Sequence, residues 1–127
     1  MTDHARIYKI LIVDDERMLH ATLKPVLSAN GFDIISAYSG EDGLVLAKTE
    51  KPDLVILDVI MPGIKGREVC KILKADPATT SIPVLFLTAK HSEDDVRAEI
   101  EAGAAGHITK PIHSMPLISQ IKKILGV

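Results

Sequence analysis

Carboxylate side chains follow two apolar runs that each have the length of a buried strand. Ile10–Val13 leads directly into Asp14–Glu16, and Leu54–Leu57 leads directly into Asp58. Because the carboxyl ends of parallel strands meet at one edge of a sheet, two separate strands are predicted to deliver carboxylates to the same place. Ligands that are all oxygen suit a hard divalent cation and a phosphoryl group better than they suit a packing role.

The strands that would position these residues alternate with segments of helical period, which predicts an α/β fold built on a parallel sheet. Strands one, three and four are almost continuously apolar, as strands buried on both faces must be, and strands two and five are weaker. The weaker pair belongs at the edges, so the predicted order is 2-1-3-4-5, with five helices. The predicted strands are Tyr8–Val13, Asp33–Ala37, Leu54–Leu57, Val84–Leu87 and Gly106–Thr109.

Length and composition limit the number of domains and the class of protein. The 127 residues carry a net charge of −2 and 46% hydrophobic residues, which predicts a single domain over residues 1–127. The single Cys70 excludes an internal disulfide; there is no leader-like start and no apolar stretch of the ~20 residues that cross a bilayer. We expect a cytoplasmic protein without nucleic-acid or membrane binding, since fifteen basic residues balance seventeen acidic ones without long runs.

Local signals agree with these units. Helix ends are predicted at left-handed glycines, and helix starts at serines followed three residues later by aspartate: Gly31, Gly103, Ser39 and Ser92. Pro25 falls inside the first predicted helix, where it removes a backbone hydrogen bond, so we expect a kink or a restart there. Cys70 is interpreted as a semi-buried packing residue. The acidic residues of helix four are interpreted as a solvated face rather than a docking patch for a basic partner: Glu93, Asp94, Asp95, Glu99 and Glu101.

Five polar residues lie at the carboxyl ends of the predicted strands, and together they are suited to phosphoryl chemistry. Two or three carboxylates can hold Mg²⁺ with water completing the shell. Asp58 is the candidate nucleophile, with the Lys110 ammonium and the Thr88 hydroxyl stabilising phosphoryl oxygens. The complete set is Asp14, Asp15, Asp58, Thr88 and Lys110.

Each of these residues also has a structural interpretation when it is taken alone. Asp14 or Asp15 is a suitable N-cap for a helix that starts at Glu16, and Asp58 can begin a turn. Thr88 can satisfy backbone groups at a strand end, and an isolated lysine such as Lys110 is usually solvated. Their joint placement at one sheet edge favours the functional interpretation.

On these residues the chain resembles the receiver domain of two-component response regulators. The matched stretches are Ile12–Glu16, Leu57–Gly63, Leu87–Ala89 and Thr109–Pro111. The resemblance implies a three-layer, doubly wound, flavodoxin-like sandwich. It also implies that a histidine kinase or a phosphotransfer protein donates a phosphoryl group to Asp58, so that the protein is a signalling switch rather than an enzyme.

The same resemblance implies roles for individual residues. Mg²⁺ would be bound by Asp15, Asp58 and the backbone carbonyl of Ile60, with Asp14 helping directly or through water. The Lys110–Pro111 peptide is a candidate for the cis form. Ile60 and Lys90 would set the lifetime of the acyl phosphate, and the apolar Ile60 predicts slow self-dephosphorylation.

The signal would leave through the face of helix four, strand five and helix five, toward a downstream protein or a tethered output domain. Thr88 and His107 are the switch positions that the resemblance implies, although the family often has Tyr or Phe where this chain has His107. Histidine is smaller and polar, and its charge depends on its surroundings.

Two other classes of protein fit this pattern less well. An aspartyl-phosphate phosphatase of the haloacid-dehalogenase type needs a second aspartate two residues after the nucleophile, where this chain has Ile60. A flavin-binding module would need a glycine- and hydroxyl-rich loop and flanking aromatic rings, and the chain is only 3% aromatic. The five histidines have no metal-ligand spacing.

Overall fold

Within residues 7–89 and 92–127, which the computed structural model describes, five strands alternate with five helices. The strands are β1 Tyr8–Val13, β2 Phe32–Ala37, β3 Leu54–Asp58, β4 Val84–Thr88 and β5 Gly106–Thr109. The helices are α1 Arg17–Ala29, α2 Gly40–Glu50, α3 Gly66–Ala75, α4 Glu93–Glu101 and α5 Ser114–Leu125. The alternating α/β pattern predicted from the sequence is confirmed.

All five strands pair in parallel in the order β2-β1-β3-β4-β5, which confirms the predicted topology. Every residue of β3 and β4 is buried, whereas β2 and β5 lie at the edges. Both central strands continue one residue further than predicted, because Asp58 pairs with Leu87 and Thr88 pairs with Thr109. The two candidate site residues are therefore the last residues of buried strands.

The core lies on both faces of the sheet, because successive strand residues point to opposite sides. Leu11, Val55 and Phe86 pack on the side of α2 and α3. Ile10, Ile56 and other alternate residues pack on the side of α1 and α5. Within the described residues none of the helices has the length and apolarity needed to cross a membrane.

Most predicted helix ends are confirmed. The Ser39 and Ser92 hydroxyls accept hydrogen bonds from the backbone N–H groups of Asp42 and Asp95. Gly31 and Gly103 have positive φ values of 87° and 101° just after their helices. Helix α1 runs through Pro25 without a restart.

Two expectations about packing are wrong. Cys70 is fully buried rather than semi-buried, and its thiol donates a hydrogen bond to the Ala102 carbonyl at 3.2 Å. Burial raises the pKa of this thiol to about 11, so it stays protonated at neutral pH. The expected solvated face of α4 is wrong for Glu99, which is only 1% exposed. Helical period turns this one carboxylate toward the protein interior while Glu93 and Glu101 face solvent.

Candidate phosphorylation and metal site

The polar residues at the carboxyl ends of the strands surround one crevice of about 330 Å³. Its lining consists of Asp15, Glu16, Asp58, Val59, Ile60, Thr88, Ala89 and Lys110. Asp14 lies at the same edge and is completely buried. The structure thus brings all five sequence-predicted polar residues to one place, as the parallel sheet requires.

The sheet register positions these residues. Val13 and Leu57 are partners in β1 and β3, so the residues that follow them, Asp14 and Asp58, lie side by side. On the next strands Thr88 ends β4, and its carbonyl accepts a hydrogen bond from the backbone N–H of Lys110 at 2.8 Å. The Lys110–Pro111 peptide bond is cis.

Three carboxylates form a cluster whose oxygens lie within 4.8 Å of one another: Asp14, Glu16 and Asp58. Asp15, which the family resemblance implies as a metal ligand, is exposed and lines the crevice outside this cluster. Glu16 is not among the predicted site residues, because its position next to Asp14 and Asp15 predicts the start of the first helix. It is the N-cap of α1, which begins at Arg17, and this leaves its side chain free to turn toward the crevice.

One ammonium group lies among the carboxylates. The Nζ atom of Lys110 is 2.9 Å from Glu16 Oε1, 3.4 Å from Asp14 Oδ2 and 3.5 Å from Asp58 Oδ2. Burial lowers the pKa of Lys110, but the hydrogen bond to Glu16 and the neighbouring negative charges outweigh it, and the pKa lies above its ordinary value. Lys110 is therefore protonated and cannot neutralise all three carboxylates.

The ionised forms of the two buried carboxylates are disfavoured, so their pKa values are raised. Burial and the charge of Asp14 together raise the pKa of Asp58 to about 6, although Lys110 and the backbone N–H of Ile60 act in the opposite direction. Burial also raises the pKa of Asp14. Among the described residues, the pocket carries more negative than positive charge on oxygen ligands, which fits a hard divalent cation.

Asp58→Asn is expected to raise the free energy of unfolding by about 1–2 kcal/mol at pH 8 without Mg²⁺. The pKa of Asp58 moves from 3.8 to about 6 on folding, and each pKa unit corresponds to ~1.4 kcal/mol. The attraction of Lys110 is already included in this pKa, and the gain is smaller than the full shift because the new amide nitrogen meets the Lys110 ammonium.

Because the folded-state pKa is raised, the penalty for ionised Asp58 is absent below the unfolded-state value of 3.8, grows as pH rises toward about 6, and is fully present at higher pH. Urea unfolding at pH 8 and at pH 5 should therefore show a smaller gain at pH 5. Asp33→Asn, at an exposed position of β2, is the control and should change little at either pH. An equal gain from Asp58→Asn at both pH values would contradict this explanation.

The remaining predicted residues lie around the crevice or beside it. Thr88 is buried at its base, and Ile60 is 53% exposed at its mouth, where its backbone N–H lies 3.3 Å from Asp58 Oδ1. His107 is half-buried in β5 opposite Phe86. Lys90, to which the sequence assigned a role in phosphoryl lifetime, lies outside the described residues.

The fold and the site define a class of protein: a doubly wound α/β domain with an acidic, lysine-containing crevice at the carboxyl edge of its sheet. The family model described as the response regulator receiver domain matches residues 10–122. The chain belongs to this family. Its members act as phosphoacceptor switches, are phosphorylated by histidine kinases and generally bind Mg²⁺ at an acidic site.

Individual relatives agree with this assignment. The chain is 43% identical over 117 residues to the alkaline phosphatase synthesis transcriptional regulatory protein PhoP of Bacillus subtilis. That match covers 92% of this chain and 48% of PhoP, so the chain spans about half the length of this relative. It is also 37% identical to protein PilH of Pseudomonas aeruginosa over 93% of this chain and 98% of PilH.

A solved structure is similar over nearly the whole chain. The chemotaxis protein CheY4 of Vibrio cholerae superposes with a TM-score of 0.89 at 26% sequence identity. The superposition covers 94% of this chain and 99% of CheY4. The sheet order and the five helices are therefore those of a receiver domain.

Proposed function

We propose that Asp58 accepts the phosphoryl group in this chain. The observation that carries the proposal is the position of its carboxylate, which ends a buried strand within 3.5 Å of Lys110 and inside the acidic cluster. In the proposed step a carboxylate oxygen of Asp58 attacks phosphorus. The bond between phosphorus and the donor histidine nitrogen breaks as the new oxygen–phosphorus bond forms, and the imidazole leaves with its electron pair and takes up a proton.

The neighbouring side chains have distinct parts in this proposal. The Lys110 ammonium and the Thr88 hydroxyl stabilise the charge on the phosphoryl oxygens. Asp14, Asp15 and Asp58, with the Ile60 carbonyl, would hold Mg²⁺. The three-carboxylate cluster adds Glu16 to these candidates. Bound there, Mg²⁺ would neutralise the repulsion between the carboxylates and the incoming phosphoryl group.

The donor in this proposal is a histidine kinase or a histidine phosphotransfer protein. Phosphorylation of Asp58 would act through Thr88 and His107 on the face of α4, β5 and α5, which would bind a downstream protein or a tethered output domain. The half-buried position of His107 beside α4 supports its part as the switch residue. One sheet with core on both faces supports a single receiver domain, for which we propose a cytoplasmic location.

Intact mass measurement tests the acceptor. After incubation with acetyl phosphate and MgCl₂, the protein should gain the mass of one phosphoryl group, and a chelator added beforehand should prevent the gain. Asp58→Asn should gain nothing, whereas the control Asp33→Asn should react as the unaltered protein does. No adduct on the unaltered protein, or an adduct that persists in Asp58→Asn, would refute the assignment of Asp58.

A further inference from the structure

A buried histidine lies directly beneath the acidic cluster. His20, from the first part of α1, is only 3% exposed. Its Nε2 atom is 2.8 Å from the backbone carbonyl oxygen of Asp14, and its Nδ1 atom is 2.9 Å from the hydroxyl of Ser36 in β2. The ring therefore joins α1, β2 and the first residue after β1.

The partners of the ring determine its hydrogen positions. A carbonyl oxygen can only accept, so Nε2 carries the hydrogen and donates to Asp14. In the neutral ring Nδ1 then accepts the hydroxyl hydrogen of Ser36. The Tyr38 ring lies 4.5 Å from the His20 ring, and the Arg17 guanidinium lies 4.0 Å from the centre of Tyr38. These contacts leave the imidazole little freedom to turn.

The hydrogen bond from His20 completes the set of contacts around Asp14. The Asp14 N–H donates to the Ala37 carbonyl at 3.1 Å, Oδ1 accepts from the Glu16 N–H at 2.9 Å, and Oδ2 lies 3.4 Å from the Lys110 ammonium. Strand β1 ends at Val13, so the sheet pairing ends before the carbonyl of this fully buried residue. Buried carbonyls need a donor, and His20 supplies it.

That carbonyl belongs to the peptide group that joins Asp14 to Asp15. Because a peptide group is planar, holding its oxygen also sets the direction of the Asp15 N–H and limits the rotation of both residues. The bond from His20 therefore acts on the backbone of both aspartates at the crevice.

We propose that His20 is a positioning residue, which holds the Asp14–Asp15 peptide so that the acidic pair is arranged for cation binding. The role rests on the proposed function, since it requires that the crevice binds Mg²⁺. Residues that orient metal ligands from behind typically change metal affinity by about 10–100-fold when they are replaced.

Two amide replacements separate this role from simple packing. In His20→Gln the amide nitrogen can take the place of Nε2 and keep the donor to Asp14, whereas in His20→Asn the shorter side chain reaches only the position of Nδ1. Calorimetric titration with MgCl₂ should show about tenfold weaker binding by His20→Asn. His20→Gln should bind Mg²⁺ within about 1.5-fold of the unaltered protein, because this variant keeps the donor to Asp14.

The Asp14 carbonyl carbon shift and the Asp15 amide nitrogen shift report the same hydrogen bond by NMR without metal. Both shifts should move in His20→Asn and stay close to the original values in His20→Gln. Ser36→Ala provides a milder test if His20→Asn does not fold, because it removes only the group that orients the ring. It should weaken Mg²⁺ binding by about threefold and move the same two shifts.

The outcomes distinguish this role from the function on which it rests. If the unaltered protein binds no Mg²⁺, the metal site of the proposed function fails and the role of His20 fails with it. If the unaltered protein binds Mg²⁺ and both His20→Asn and Ser36→Ala bind it equally well, only the positioning role is overturned. Equal weakening by His20→Asn and His20→Gln would also overturn it, since packing rather than the donor would then be responsible.

Discussion

Lys110→Met is expected to lower the free energy of unfolding by about 2–4 kcal/mol at pH 8 in buffer without Mg²⁺. Removing one partner from a buried charge cluster typically costs about 3–5 kcal/mol because the remaining charges stay buried and uncompensated. Here the Nζ atom of Lys110 contacts Asp14 and Asp58, which are buried, and Glu16, which is largely exposed. Because Glu16 is exposed, its charge remains solvated after the substitution, so the expected loss is smaller than for a fully buried cluster.

The loss should shrink at lower pH. Asp58 already has a raised pKa of about 6, and removing Lys110 takes away a charge that lowers it. At pH 5 the carboxyl is then largely protonated, so less uncompensated charge is buried. Urea unfolding at the two pH values measures the difference, and MgCl₂ at pH 8 should restore part of the lost stability by binding the folded state.

A surface lysine provides the matched control. Lys48 forms an ion pair with Asp76 at 3.3 Å, and its side chain is 64% exposed. Lys48→Met should change the free energy of unfolding by less than about 1 kcal/mol. Similar losses in Lys110→Met and Lys48→Met would contradict the electrostatic role of Lys110.

Gly66→Ala is expected to lower the free energy of unfolding by about 3 kcal/mol. A methyl group at this first residue of α3 would overlap the backbone carbonyl oxygen of Asp58 and lie 2.8 Å from the Cα atom of Val59. Both atoms belong to the backbone, so neither can move aside as a side-chain tip can. The Gly66 N–H also donates to the Val59 carbonyl at 3.0 Å, which a displaced helix would lose.

The same clash should disturb the proposed phosphoryl acceptor, because the displaced backbone carries Asp58. Acetyl phosphate should therefore label Gly66→Ala more slowly than the unaltered protein under conditions in which both are folded. The control is Gly31→Ala, where the added methyl meets no atom within 4 Å but the positive φ of 87° costs about 1–2 kcal/mol. If Gly66→Ala lowered the free energy of unfolding less than Gly31→Ala, the overlap with the Asp58 backbone would be relieved by a small movement, and the prediction would be wrong.

The fold was predictable because its signals are local. Apolar runs such as Leu54–Leu57 have strand length, and a parallel sheet buries them on both faces. The weaker runs in β2 and β5 indicated the edge strands, and hence the strand order. Gly31 indicated the end of one helix and Ser39 the start of the next, because a positive φ and an N-cap each depend on the type of a single residue.

The arrangement of the site was less predictable. Glu16 joins the cluster and Asp15 does not, because the choice depends on how the chain turns between Val13 and the start of α1 at Arg17. Glu99 was taken for a solvated residue, since helical spacing alone does not tell which face of α4 meets the sheet. No sequence signal indicated that His20 would contact Asp14, six residues earlier in the chain.

The sequence by itself determined the sheet order and the family. It also determined that the carboxylates, the hydroxyl and the lysine lie at one edge of the sheet. These features follow from residue type and from short spacings along the chain. Only the tertiary structure decided which carboxylates approach one another, how far burial raises the pKa of Asp58, and what holds the Asp14 carbonyl. These properties depend on distances and on exclusion of water, which are set by how α1 and the strand ends pack together around the crevice. No local pattern of residues contains that information.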